Sequence, residues 1–167
     1  HKHRRRQRQM CIRDRCEIKM INSTESLTRF ANSHIHQNVE EEMTDLYLTF
    51  HSDGKTTNLN LNITSLGSID EVVKKALSEI ANNPKDSSWP GLASKENSYD
   101  GYRNLSPENP DLRAQKVKDF IDQGGSFNGA GYCSSNVSNV FVWNTDGLNS
   151  SDTATSAFLD GIFRSET

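Results

Sequence analysis

Residues 46–63 read LYLTFHSDGKTTNLNLNI and form the clearest hairpin pattern in the sequence. Apolar and polar side chains alternate on both sides of Asp53-Gly54, a dipeptide that favours a tight turn because glycine tolerates a positive φ. The second half is the more regular, with asparagine at every other position between Asn58 and Asn62. Two antiparallel strands are therefore predicted, each with one face toward a core and one toward solvent or a partner.

The residues before this hairpin predict further strands. Ser26–Asn32 and His34–Val39 are interpreted as two strands with a break at Asn32-Ser33, and Cys16–Ile21 is a candidate third. Glu40-Glu41-Glu42 is interpreted as a solvated bend, because neighbouring carboxylates on a strand point to opposite faces and nothing fixes their separation.

The sequence predicts two helices from the residues at their ends. The first begins at Ser68, an N-cap with Glu71 three positions later, and ends before Pro84. The second starts at Asn109-Pro110 and ends at Gly124-Gly125, since proline suits the first helical turn and glycine the residue after the last. Apolar residues at three- and four-residue spacing give each helix one face for a core.

The connection between the helices, residues 84–109, is rich in Pro, Ser, Asn and Gly. It is predicted to be a linker that wraps the surface and is pinned by Trp89 and Leu92. Beyond the second helix the sequence predicts three more strands, at Phe127–Ser134, Val137–Asn144 and Ser151–Phe163.

The order strands, helix, linker, helix, strands favours an α+β fold, an antiparallel β-sheet with hairpins packed by two helices, over a parallel βαβ series. Residues 16–83 are predicted to form an N-terminal α+β domain and residues 84–109 the linker. Residues 110–167 would begin a second α/β segment that the sequence leaves incomplete.

Residues 1–15, HKHRRRQRQMCIRDR, differ in charge from the rest of the chain. They hold seven of the 19 Lys and Arg residues but one of the 22 Asp and Glu residues. The string MCIRDR is similar to the translation of a sequencing-library adapter, so this stretch is interpreted as non-native and is excluded from fold reasoning. On this interpretation the native N-terminus is also missing.

Composition excludes several classes of function. Without its first 15 residues the chain is acidic, which gives no support for nucleic-acid binding. No apolar run approaches the roughly 20 residues of a membrane-spanning helix, and no secretory leader is recognisable, so a cytoplasmic location is expected. Cys16 and Cys133 lie far apart without a Cys-x-x-Cys motif and are expected to be reduced thiols.

The residues alone do not reveal the chemistry. His34 and His36 leave the same face of a strand, but a metal site would need a third ligand, so an exposed or hydrogen-bonded pair is predicted. Several residues could act as nucleophiles, but the sequence shows no general base that would pair with them. It also contains no nucleophile elbow, phosphate loop or zinc-binding helix motif. The possible nucleophiles are Cys133, Ser134, Ser135 and Asp152.

The stretch Ser26–Glu42, SLTRFANSHIHQNVEEE, resembles the N-terminal signature of TldD/PmbA-type proteins, the modulator of DNA gyrase family of metallopeptidases. The Asp53-Gly54 hairpin, the first helix and Trp89-Pro90-Gly91-Leu92 are also similar to that family. The resemblance extends over residues 16–167, and its specificity rests mostly on Leu27–Asn38.

This resemblance implies a cytosolic peptidase that forms homo- or heterodimers and acts on peptides or unfolded proteins. Catalytic members bind zinc through a His-Glu-x-x-x-His helix and a later cysteine, with the glutamate as general base. The chain is expected to be truncated before that C-terminal catalytic domain, so zinc is expected in the full-length parent and not here. Asn32, His34 and His36 are the candidates for a peptide channel or a dimer contact.

Two alternatives remain at this point. Sibling members of the family lack the zinc ligands and act as partner subunits that bind peptide or complete a heterodimer. A remoter alternative is an unrelated asparagine-rich module that binds surfaces.

Overall fold

A computed structural model of the protein describes residues 15–62 and 69–165. Ser68, the expected N-cap of the first helix, lies outside these ranges, as do residues 1–14. The described chain forms six strands, two α-helices and one short 3-10 helix. Their bounds are β1 Arg15–Ala31, β2 His34–Ser52, β3 Lys55–Asn62, α1 Ile69–Asn82, the 3-10 helix Lys95–Asn97, β4 Asp100–Gly101, α2 Pro110–Gln123, β5 Asn128–Asn144 and β6 Asn149–Arg164.

The strands form one mixed sheet in the order β3-β2-β1-β5-β6-β4. The predicted hairpin is confirmed, because β2 and β3 pair antiparallel with Leu48 opposite Leu59 and Ser52 opposite Lys55. One pair departs from the antiparallel prediction, since β4 runs parallel to β6. Two residues are too few to show any periodic pattern, so β4 had no signal in the sequence.

The strands are longer than predicted. The single strand β1 contains Cys16–Ile21 and all of Ser26–Asn32 except its last residue. Of the three strands predicted after α2, the first two belong to the single strand β5, which begins at Asn128. The predicted bend at Glu40–Glu42 is wrong, because these exposed residues continue β2. No glycine or proline interrupts β2, and its pairing with the neighbouring strand β1 holds these polar residues extended.

Residues 84–109, the predicted linker, include short regular elements. They contain the 3-10 helix and β4, and Lys85 forms an isolated bridge with Lys55. The predicted pinning residues Trp89 and Leu92 are both half-buried.

The chain divides into two compact units, each built from three separate stretches. The first unit contains the chain up to Ile21, Thr44–Tyr102 and Val140–Asp152, and the second contains Asn22–Met43, Arg103–Asn139 and the chain from Thr153.

In the first unit α1 packs on the β2–β3 hairpin. Leu48 and Leu59 form a buried cluster with Val72 and Ala76 of the helix. Helix positions four apart share one face, which explains why these two residues are buried together. Val73, which the predicted apolar face of this helix also included, is exposed.

In the second unit α2 packs over β1 and β5. Phe30, Val117 and Cys133 are buried together, and Phe30 meets Phe120 edge-on at a centroid distance of 5.6 Å. Leu112, which the apolar pattern placed on the buried face, is 49% exposed. The buried position in the first turn of α2 is taken instead by Arg113.

Candidate functional site

The turn that joins β1 to β2 is built from Asn32 and Ser33, both with positive φ, at 49° and 60°. Two successive positive φ values match the twist of a two-residue hairpin, and asparagine is among the residues that tolerate them best. Ser33 N donates to Gly129 O at 2.9 Å, and Gly129 N donates to Ser33 Oγ at 3.0 Å. The break predicted at this position is therefore a turn that is fastened to β5.

Asn38 joins three elements of the second unit. Its Oδ1 accepts from Thr28 Oγ1 on β1 at 3.0 Å and from Arg113 Nη2 on α2 at 3.2 Å. Arg113 is 1% exposed, and its Nη1 donates to the carbonyl of Glu108 just before the helix. A buried guanidinium is thus held by two neutral oxygens, and in the described part of the chain no carboxylate forms an ion pair with it.

A second bond repeats this pattern two residues away. Ser26 Oγ donates to Glu40 Oε2 at 2.8 Å, and both Ser26 and Thr28 are completely buried. Ser26–Glu40 and Thr28–Asn38 are successive rungs between antiparallel strands, with each buried hydroxyl satisfied by β2. These polar residues lie on the face of β1 that also buries Phe30, so much of the signature stretch has a structural role.

Sequence reasoning missed this network. The sequence did contain a signal for it. Residues two apart on a strand share one face, so Ser26 and Thr28 lie on the same face as the apolar Phe30, which predicts that both hydroxyls are buried. Arg113 had no such signal, because a charged residue in the first turn of a helix is usually solvated.

The three predicted site residues Asn32, His34 and His36 are all exposed. His34 Nδ1 lies 2.7 Å from Asn32 O, and since a carbonyl can only accept, Nδ1 carries the hydrogen of this bond. His34 also lines an open groove of about 440 Å³ against α2, whereas Asn32 and His36 do not. The other lining residues are Ser33, Ile35, Asp111, Ala114, Gln115, Lys118, Ile121 and Asp122.

The described residues bring together no set of ligands that would suit a metal ion. Among residues 15–62 and 69–165, no three His, Cys, Asp or Glu side chains lie where they would hold one metal ion. His34 is engaged with the Asn32 carbonyl, and an isolated imidazole pair lacks the third ligand of a catalytic zinc site.

Burial disfavours the thiolate form of Cys16 and Cys133. Burial raises the pKa of the Cys133 thiol, and the nearby Glu108 raises it further, so this cysteine is protonated at neutral pH. Burial likewise raises the pKa of Cys16. Ser135 is buried, and its Oγ has no hydrogen-bond partner in the described structure.

The first unit carries an aromatic cluster that sequence reasoning did not identify. The rings of His51 and Trp89 stack at a centroid distance of 3.5 Å and an angle of 10°, and His51 Nδ1 lies 2.9 Å from Thr56 Oγ1. An open cavity of about 470 Å³ lies beside the stack, next to the Asp53-Gly54 turn. The related prediction was that Trp89 pins residues 84–109 to the surface.

None of the described helices is both long enough and apolar enough to cross a bilayer. No protein-family model matches the chain, and no curated protein matches it.

Solved structures do match its fold. The chain is similar to TldE from Thermococcus kodakarensis, with 16% identity, a TM-score of 0.68, and coverage of 90% of this chain and 36% of that one. It is also similar to a putative modulator of DNA gyrase from Bacteroides thetaiotaomicron, with 12% identity, a TM-score of 0.71, and coverage of 89% and 36%. A third match, from Thermotoga maritima, is likewise a putative modulator of DNA gyrase, with 17% identity, a TM-score of 0.64, and coverage of 87% and 35%.

The sequences are too different for these matches to show more than the fold. The chain spans about a third of the length of each matched structure. The chain has the fold of TldE and the modulators of DNA gyrase, the TldD/PmbA group that its signature stretch resembles.

Proposed function

We propose that the chain is the N-terminal portion of a TldD/PmbA-type zinc metallopeptidase that acts on peptides or unfolded proteins in the cytoplasm. The observation that supports this most strongly is the fold, which agrees with TldE over 90% of the chain at a TM-score of 0.68. The signature residues add support, because Ser26, Thr28 and Asn38 hold that fold together.

In this proposal the zinc ligands lie in a part of the parent protein outside the present sequence. When bound, the zinc would activate a water molecule for attack on a peptide bond. The residues described here would supply the scaffold and a surface that contacts substrate.

The groove beside His34 is the surface proposed for that contact. Its lining combines the apolar Ile35 and Ile121 with the charged Lys118 and Asp122, a mixture that suits a peptide with both apolar and charged side chains. With Nδ1 donating to Asn32 O, Nε2 of the neutral His34 ring can accept a hydrogen bond from a peptide N–H.

The complete reading frame that contains residues 16–167 tests the proposal. We expect it to encode a His-Glu-x-x-x-His helix, and the purified product to bind about one zinc ion per chain and to hydrolyse unfolded protein. Replacing the glutamate of that motif by glutamine should abolish hydrolysis and leave zinc binding intact.

A reading frame with a ligand-free version of that helix would contradict peptidase activity and would favour the partner subunit instead. A reading frame that encodes neither the zinc-binding helix nor its ligand-free version would contradict the assignment to this family.

The role of the groove is tested in the same parent protein. His34→Ala is expected to raise KM for an unfolded substrate by about tenfold with little change in kcat, because it removes a binding contact. His51→Ala, the same substitution in the other unit, serves as the control and should leave KM unchanged. Equal effects from the two variants would argue against a substrate contact at His34.

A further inference from the structure

The guanidinium group of Arg15 is held at two points in the first unit. Its Cζ lies 5.6 Å from the centre of the Trp89 ring, within the range of a cation–π interaction. Its Nη1 lies 3.3 Å from Asp146 Oδ2. A planar guanidinium both stacks on aromatic rings and pairs with carboxylates. Trp89 and Asp146 therefore have the chemistry of a guanidinium receptor.

Asn144 joins the two halves of this receptor. Its Nδ2 donates to the carbonyl of Ala93, four residues after Trp89, at 2.8 Å. Its Oδ1 accepts from the backbone N–H of Asp146 at 3.0 Å. One side chain thus ties the turn that carries the carboxylate to the segment that carries the indole, and neither bond involves Arg15.

The segment that carries Trp89 is also fastened at its start. The backbone N–H of Asp86 donates to Gly54 O at 2.7 Å. The Asp86 carboxylate accepts from the backbone N–H of Ser88 at 3.0 Å and from that of Trp89. A receptor whose backbone is already fixed loses little freedom when a ligand binds.

Arg15 itself is separable from the receptor. It is the last residue of the stretch interpreted as non-native, whereas the groups that hold its guanidinium lie far along the chain. Its side chain is 46% exposed, so another guanidinium can displace it. The cavity of about 470 Å³ in the first unit is lined by Arg15, Trp89 and Gly91, and it has room for residues that flank an arginine in a peptide.

We propose that Trp89 and Asp146 form a site for the arginine side chain of a peptide, and that Arg15 occupies this site from within the chain. A peptide is favoured over free arginine because the occupant seen here is itself part of a polypeptide. Lysine suits the site less, since an ammonium group lacks the planar face that stacks on an indole. The site lies in the first unit and the groove beside His34 in the second, so this inference goes beyond the proposed function.

Competition with Arg15 tests the site. The probe is the tripeptide glycyl-arginyl-glycine with both ends blocked, added to the 167-residue chain. The indole N–H signals of the two tryptophans are followed by NMR, and Trp143 is the internal reference. The Trp89 signal should shift and saturate with a dissociation constant in the millimolar range. Arg15→Ala should lower that constant about threefold, because the competing group in the same chain is gone.

Matched variants and ligands separate this site from general charge attraction. In the Arg15→Ala chain, Asp146→Asn should raise the dissociation constant about fivefold, because the ligand loses its ion pair. Asp70→Asn removes the same charge from an exposed position on α1 outside the cavity and should leave the constant unchanged. The citrulline tripeptide has nearly the same shape but no charge and should bind at least about fivefold more weakly. Thermal unfolding followed by circular dichroism establishes that each variant is folded.

Several results would overturn the proposal. They are a Trp89 signal that does not saturate, an Arg15→Ala chain that binds no more tightly than the original, and equal binding of the arginine and citrulline tripeptides. Unchanged affinity in Asp146→Asn would do the same. Tighter binding of free arginine than of the tripeptide would overturn the assignment to a peptide. None of these results depends on zinc or hydrolysis, so the site can fail while the proposed peptidase function holds, and the reverse.

Discussion

Arg113 Nη2 on α2 donates a hydrogen bond to Asn38 Oδ1 on β2 at 3.2 Å, and Thr28 Oγ1 on β1 donates to the same oxygen. One amide oxygen of the signature stretch therefore fixes a helix to two strands. The buried guanidinium is compensated only if this oxygen and the Glu108 carbonyl remain in place.

Asn38→Ala should destabilise the protein by about 2 kcal/mol, because it leaves a buried hydroxyl and a buried guanidinium without their shared acceptor. The free energy of unfolding in urea gives the measurement. Gln37→Ala is the matched control, since Gln37 forms only an exposed 3.4 Å bond with Arg29. A cost for Asn38→Ala no larger than that for Gln37→Ala would show that the junction contributes little stability.

Gly131 permits the close approach of β5 and β6 in the second unit. A Cβ at this position would lie 2.2 Å from the backbone oxygen of Asp160 and 2.9 Å from the ring of Phe30. Gly131→Ala should therefore cost about 3 kcal/mol, because the backbone of β6 has to shift.

The control for this substitution is Gly125→Ala. Gly125 has a φ of +60° but open space around it, so this change should cost only about 1 kcal/mol, from backbone strain. Equal melting temperatures for the two variants would contradict the packing argument.

The stack of His51 on Trp89 is expected to stabilise the chain that follows α1. His51→Ala should lower the free energy of unfolding by about 1 kcal/mol and change the fluorescence of Trp89, because one face of the indole becomes solvated. His36→Ala removes an exposed histidine and should change stability by less than about 0.5 kcal/mol. Unchanged fluorescence in His51→Ala would mean that the rings do not stack in solution.

Asp86 should make stability depend on pH in the acid range. The hydroxyl of Ser88 donates to its carboxylate at 2.7 Å and, with the backbone N–H of Ser88, holds the pKa of Asp86 below its ordinary value of 3.8. A pKa that is lower in the folded than in the unfolded state gives stability that is present above the unfolded pKa. That stability is lost as the pH falls through the folded pKa.

Asp86→Asn removes this dependence. The difference in unfolding free energy between the original chain and Asp86→Asn should be largest above about pH 5 and should shrink toward pH 3. Glu41→Gln, which removes one exposed negative charge from β2, controls for the change in net charge. A difference that does not vary between pH 5 and pH 3 would contradict the role assigned to Asp86.

Most of the fold was predictable because its signals are local. The alternation of Leu48 and Phe50 with polar residues, the turn at Asp53-Gly54 and the start of α2 at Asn109-Pro110 depend on neighbouring residues only. The break at Asn32-Ser33 is local for the same reason, since few residues adopt two successive positive φ values.

The length of the strands was not predictable in this way. Glu40–Glu42 has no local preference for an extended conformation, and its pairing with β1 holds it in β2. The candidate site shows the same limit, because His34 was identified from its motif but its groove is formed by α2, 75 or more residues away.

The sequence by itself determined the places of the five long strands, the two helices, the turns at Asn32-Ser33 and Asp53-Gly54, and the family resemblance, because period, turn chemistry and motif are properties of adjacent residues. The tertiary structure alone decided that Arg113 is buried against Asn38, that His51 stacks on Trp89 and that β4 pairs with β6. Each of these relationships joins residues that are distant in the chain, and burial, ring contact and strand pairing arise only when the folded backbone brings such residues together.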